Sequence, residues 1–234
     1  KGTDVTRLVP QLGVEVHLVH RHPELLNHFD ADVATHFTEA FGVHPHVHLH
    51  LDRSAASIAP GSVTLDDGTT IEADFILFTA GRVPNIEGLF ANGPAALGIE
   101  TKARDALVVD DTYQTGCPSI FAVGDVIDRM ALTPVALAEG MSFARHQFAE
   151  WSKKDARVAY DCVATAVFST PEVATVGLSE ADARKRGGVR VFMSKFRPMK
   201  FVLAERQERS LMKLVVDAES DRVLGVHVVG PDAG

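Results

Sequence analysis

Residues 120–125 read Ile120-Phe121-Ala122-Val123-Gly124-Asp125, and Thr133-Pro134-Val135-Ala136 follows a few positions later. A short apolar run ending in Gly-Asp predicts a buried strand that delivers a carboxylate to the carboxyl edge of a sheet. In open α/β folds that edge is where ligands bind. Asp125 placed there is an acceptor suited to ligand hydroxyls, such as those of a ribose or ribityl chain. Taken alone, it could equally be a turn residue or a helix N-cap.

The flanking segments extend this pattern. Residues 14–20 (VEVHLVH) are rich in β-branched side chains and follow Gly13, which predicts a strand. Residues 30–42 have an acidic start, apolar residues at Val33, Phe37 and Phe41, and a glycine stop, which predicts a helix. Residues 44–51 give a second strand. Residues 63–65 and 70–72, joined through Asp66-Asp67-Gly68, form a hairpin. Residues 75–78 (FILF) read as a buried strand running into Thr79-Ala80-Gly81. This order belongs to a nucleotide-binding α/β domain with a small antiparallel insertion.

A loop-rich crossing punctuated by Pro84, Gly88, Gly93, Pro94 and Gly98 leads to the 120–123 strand, and 134–151 then reads as a helix. Beyond about Val158 the character changes. Strands at 164–168 and 173–176 precede a helix opened by Ser179 and Asp182, a capping-box-like pair. Strands at 189–193, 211–216 and 222–229 complete an α+β unit with an antiparallel sheet.

Composition narrows the function. The chain has 234 residues, 46% hydrophobic and 23% charged, with a formal charge of -8. That charge, with no long basic run, argues against nucleic acid. No segment nears the roughly 20 apolar residues that span a bilayer, so no membrane partner is expected. Cys117 and Cys162 are far apart and match no metal-ligand or C-x-x-C spacing. They predict a reducing, cytoplasmic setting with both thiols buried as small apolar groups. The chain opens at Lys1 and stops at Gly234 just after a strand-like run, and it is expected to be a piece of a longer protein.

Several motifs in order now carry a family resemblance. They are Thr79-Ala80-Gly81-Arg82-Val83-Pro84-Asn85, residues 120–125, Leu132-Thr133-Pro134-Val135-Ala136, Val167-Phe168-Ser169-Thr170-Pro171, EVATVGLSE at 172–180 and LMKLVVDAESDRVLGVHVVG at 211–230. Together they resemble the class I FAD-dependent pyridine-nucleotide disulfide oxidoreductases over nearly the whole chain. Leu132–Ala136 and Phe196-Arg197-Pro198-Met199 look most like the glutathione reductases. Mycothione, trypanothione, dihydrolipoamide and mercuric reductases remain alternatives within the family.

The resemblance implies an α/β fold: partial Rossmann-like FAD and NAD(P) domains followed by an α+β dimerisation domain. Residues 1–88 would be part of the NAD(P) domain, 89–152 an FAD-contacting segment, and 153–234 an incomplete dimerisation domain. It also implies FAD and NADP as cofactors, a homodimer, and a small disulfide substrate of the glutathione type. Hydride would pass from NADPH to FAD, then to a redox disulfide whose thiolate attacks the substrate.

By the same resemblance Asp125 would hydrogen-bond the FAD ribityl chain, with Gly124 letting the backbone approach. Thr133, between Leu132 and Pro134, would set a backbone N–H near the flavin's pyrimidine edge; read locally, it is equally an N-cap with Pro134 at N1. Gly81 and Arg82 would meet cofactor phosphate or orient a carboxylate. Arg21, closing the first strand, suits the 2′-phosphate of NADP, although Asn27 stands where the family often has a second arginine. Gly2 would be the last position of the dinucleotide fingerprint.

The family's FAD glycine fingerprint, its C-x-x-x-x-C redox pair and its acid-base histidine are not found in these residues. No catalytic residue is therefore assigned, and the chain alone is expected to be inactive. A non-catalytic binding or assembly module is the other reading. His44, His46, His48 and His50 alternate and would share one strand face. No local carboxylate or thiol finishes a site in the sequence, so no metal is assigned.

Overall fold

Asp30 starts the first helix. Its side chain accepts the N–H of Asp32, and α1 runs over Ala31–Gly42, a side-chain cap of the kind that satisfies an otherwise orphaned donor. Val33, Phe37 and Phe41 form its buried stripe. The computed structural model describes residues 10–149 and 157–234. Its contacts divide the chain into one unit of Lys1–Thr79 with Ala164–Gly234 and another of Ala80–Val163.

In the first unit, β1 (Val16–His20) and β2 (Val47–Leu51) pair in parallel, with α1 as their crossover. β3 (Ala55–Ala59), β4 (Ser62–Leu65) and β5 (Thr70–Glu72) form an antiparallel meander. The expected hairpin is thus the second half of a three-stranded sheet. Later come β6 (Thr165–Val167), β7 (Val173–Gly177), α3 (Glu180–Arg184), β8 (Val189–Phe196), α4 (Met199–Leu203), β9 (Ser210–Asp217) and β10 (Val223–Val229). Their five strands make one antiparallel sheet in the order β6-β7-β10-β9-β8. Ser179 caps α3 by accepting from Asp182 N–H.

One core serves both parts of this unit. Val33, Phe37 and Phe41 of α1 and Val47 of β2 pack in one cluster with Val173, Leu211 and Val229 of the five-stranded sheet. The inward face of that sheet carries charge as well. Lys213 Nζ, on β9 between Leu211 and Val215, lies 2.8 Å from Asp30 and Glu180 and 2.5 Å from Asp32. Beside it on β10, buried His227 contacts Thr175 Oγ1 (2.5 Å) and the Leu178 carbonyl (3.1 Å). The opposite face keeps Phe192, Met212 and Leu214 exposed, with Phe192 and Leu214 directly paired.

The second unit is mostly loop and 3-10 turn, packed under α2 (Thr133–Phe148) around Ile99, Leu107, Tyr113, Ala122 and Ile127. Two sequence expectations fail in the structure. Residues 75–78 form no strand, and Phe75 and Phe78 are 79% and 72% exposed. Residues 120–123 form only one bridge, Phe121 to Gln114, although Ala122 is buried. An apolar run becomes a buried strand only where neighbouring strands complete its ladder, and among the described residues neither run has such neighbours. The second helix is described over Thr133–Phe148, and position 151, its expected end, lies outside the described residues. Among the described residues no helix is long and apolar enough to cross a membrane.

Candidate flavin-facing turn and its surroundings

Gly124 opens a 3-10 turn over Gly124–Ile127 with φ +75°. That left-handed conformation suits glycine, and a Cβ there would lie 3.2 Å from Ala136 Cβ. The turn therefore sits tightly on the first turn of α2. Asp125, next in the turn, is paired through Oδ2 with Arg82 Nη2 at 2.9 Å. Both side chains remain partly open to solvent, Asp125 at 43%. Gly81 precedes this arginine at φ +141°. Its neighbour upstream is the exposed 75–78 segment rather than a buried strand.

Leu132 occupies the N-cap of α2 and makes no side-chain cap, with Pro134 in the first turn. Thr133 is thus the first helical residue and not the cap that its local sequence allows. The N–H groups of Leu132, Val135 and Ala136 bond the carbonyls of Met130 and Leu132, and Pro134 has none, so this helix start offers a ligand the Thr133 N–H and the positive end of the helix dipole. Thr133 and Pro134 are exposed and Leu132 half-buried.

Sequence reasoning missed the group beneath this turn. Val135, Glu139 and Ser142 are the buried stripe of α2, and the Glu139 carboxylate accepts the Gly124 N–H at 2.6 Å and the Tyr160 hydroxyl at 2.7 Å. Tyr160 also contacts the Tyr113 hydroxyl (3.1 Å) and Arg129 Nη1 (3.3 Å). Burial, then the bond with Tyr113, pushes the Tyr160 phenol far above its usual range. The available signal was a glutamate on the apolar side of a helix, four residues after Val135.

Arg21 directly follows β1, is exposed, and donates through Nε to His22 Nε2 at 3.3 Å. Gly2 lies outside the described residues. Cys117 is half-buried and Cys162 exposed, both free; the expectation of two buried thiols fails because each stands in a surface loop or turn. The histidine run is also corrected. His46 precedes β2, and Glu15 accepts from His46 (2.7 Å) and His48 (2.8 Å), so a carboxylate does stand beside it. These two bonds hold Glu15 below its usual range. His17 meets His50 at 3.0 Å and stacks on His48. Among the described residues, no group of three or more His, Cys, Asp or Glu is arranged to hold a metal ion.

The family profile described as pyridine nucleotide-disulphide oxidoreductase matches residues 2–140, and its dimerisation-domain profile matches 163–234. The chain belongs to the pyridine nucleotide-disulphide oxidoreductase family. A glutathione reductase of Nostoc sp. is 36% identical over 99% of this chain and 53% of its own length. One from Burkholderia cepacia is 39% identical over 95% and 49%. Among solved structures, LpdA from Mycobacterium tuberculosis superposes with a TM-score of 0.82 at 29% identity, covering 99% of this chain and 50% of LpdA.

The chain thus spans about half the length of these relatives. Its family's cofactors are FAD and NADP(H).

Proposed function

We propose that this chain forms part of a homodimeric flavoprotein that uses NADPH to reduce a glutathione-type disulfide in the cytoplasm. One observation carries the reading: the Arg82-paired carboxylate of Asp125 stands on a glycine turn that backs onto the uncapped start of α2. Such a set fits a flavin nucleotide. A carboxylate accepts from sugar hydroxyls, and the Thr133 N–H at the positive end of the helix dipole favours the negative charge of a reduced heterocycle.

In this reading Asp125 binds the ribityl chain, Gly124 admits it, and the Thr133 N–H, set by Leu132 and Pro134, faces the pyrimidine edge. Gly81 and Arg82 orient Asp125 or meet cofactor phosphate. Arg21 takes the 2′-phosphate of NADP, and Gly2 completes the dinucleotide fingerprint. Bound FAD supplies the relay of two electrons from NADPH to a redox disulfide. Relatives named glutathione reductase support a glutathione-type substrate, and the dimerisation-domain match supports self-association.

The test is flavin content in the purified full-length gene product. The parent should be yellow after desalting, and Asp125→Ala should weaken FAD retention about tenfold or more, the scale of a lost hydrogen bond to a charged group. Unchanged retention would refute the assignment. NADPH oxidation should be fastest with glutathione disulfide when compared with mycothione, trypanothione and lipoamide disulfides and with mercuric ion. A second reading, a non-catalytic assembly module, draws on the exposed Phe192, Met212 and Leu214 face. A protein that dimerises yet binds no flavin would favour it.

A further inference from the structure

Glu139 is 1% exposed, and a carboxylate removed from water so completely needs strong donors. It has two. One is the backbone N–H of Gly124 at 2.6 Å, and the other is the Tyr160 hydroxyl at 2.7 Å. Behind Tyr160 stand the Tyr113 hydroxyl and Arg129, whose guanidinium lies 5.5 Å from both tyrosine ring centres. Arg129 thus reaches Glu139 through the Tyr160 phenol.

We propose that Glu139 is a positioning residue for the flavin-binding turn, fixing the peptide plane of Gly124 and so the direction of Asp125. The inference rests on the flavin reading of Asp125. A buried glutamate could serve only as a strut, satisfied by any donor. Here the donor it selects is the amide of the left-handed glycine immediately before the ligand-facing carboxylate. Short bonds to an ionised acceptor are about twice as strong as neutral ones, and the glycine has no side chain of its own to set its plane. Tyr160, whose phenol is held protonated by its surroundings, keeps its hydrogen on Glu139 at any physiological pH.

A glutamine fits the same slot. Its Oε1 can accept from Gly124 while its Nε2 donates to the Tyr160 oxygen, so Glu139→Gln should rescue what Glu139→Ala loses. The experiment uses the full-length gene product, with amide exchange at Gly124 measured without flavin, and FAD affinity and visible circular dichroism measured with it. Glu139→Ala should speed Gly124 exchange and weaken FAD about tenfold each and alter the flavin dichroism, while Glu139→Gln stays within about threefold of the parent. Tyr160→Phe should give a smaller acceleration, about threefold, and serves if Glu139→Ala does not fold.

Unchanged Gly124 exchange in both Glu139→Ala and Tyr160→Phe would overturn the proposal. So would faster exchange with FAD affinity and dichroism intact, or a glutamine variant as impaired as the alanine one. If Gly124 responds as expected but Asp125→Ala leaves FAD bound, the flavin reading fails, while Glu139 still holds the turn.

Discussion

Replacing Lys213 by methionine tests the ionic cluster inside the first unit. Lys213 is 1% exposed, and so is the Asp30 side chain; Asp32 and Glu180 are 44% and 27% exposed. Removing the cation strands a buried carboxylate, which typically costs about 3–5 kcal/mol. Two features favour the lower end. Asp30 retains the N–H groups of Asp32 (3.1 Å) and Glu180 (2.9 Å), and the other two carboxylates can turn partly to water. Lys213→Met should therefore lower the unfolding free energy by about 3 kcal/mol, on the order of a hundredfold in the folded-to-unfolded ratio.

Urea titration at pH 7 reads this directly. Adding Asp30→Asn should recover about 1–2 kcal/mol, because asparagine still caps α1 while the buried charge is gone. A loss below about 1 kcal/mol, or a double variant no better than the single, would refute the reasoning. The pH window follows from both partners. Burial alone would raise Asp30, but the bonds from Lys213 and Glu180 N–H outweigh it and leave it below its ordinary 3.8. Burial alone would lower Lys213, but three carboxylates hold it above its ordinary 10.5. Glu180, bonded to the same Lys213, is likewise held below its ordinary 4.5, so the stabilisation is complete between about pH 5 and 10 and is lost by protonating Glu180 and Asp30 at the acid end or deprotonating Lys213 at the basic end.

Other outcomes follow from the same structure. Gly124→Ala should cost about 1–3 kcal/mol, since it combines positive φ with the 3.2 Å approach to Ala136; thermal unfolding checks it, and an unchanged midpoint counts against the described turn. Acidification below pH 6.5 should destabilise the fold, because burial depresses His227, His17, His20 and His28 below their ordinary 6.5 and the unfolded chain then binds more protons. His227→Gln should flatten that slope by up to about 1.4 kcal/mol per pH unit, measured by denaturation at pH 7 and 5. Arg21→Glu should weaken NADPH far more than NADH in the full-length gene product; equal effects on both would remove Arg21 from the 2′-phosphate. Leu214→Asp, on the exposed sheet face, should shift sedimentation from dimer to monomer, and a parent that sediments as a monomer would reject that face as the contact.

Local chemistry made part of this fold legible. Asp30 before Val33, Phe37 and Phe41 specified a capped amphipathic helix, and Asp66-Asp67-Gly68 specified a tight turn. The motifs from Thr79 to Gly230 carried the family, which composition could not. The runs at 75–78 and 120–123 misled because apolarity measures what a strand needs, whereas pairing depends on where other strands stand. Glu139 and Lys213 were passed over for a related reason. A charge at an inward position makes sense only beside its partners, and those come from Gly124 and Tyr160 in one case and from Asp30 and Glu180 in the other. Asp125 stood out in the sequence as a candidate, but its pairing with Arg82 belongs to tertiary structure.

The cluster that joins α1 to both β2 and the five-stranded sheet is assembled from two stretches of chain with the whole of the other unit between them. Covalent continuity across that interval contributes nothing to the contacts themselves. A protease nick in the intervening loops should leave the flanking pieces gripping one another through Phe37, Leu211 and Val229, and separately made pieces should recombine on mixing.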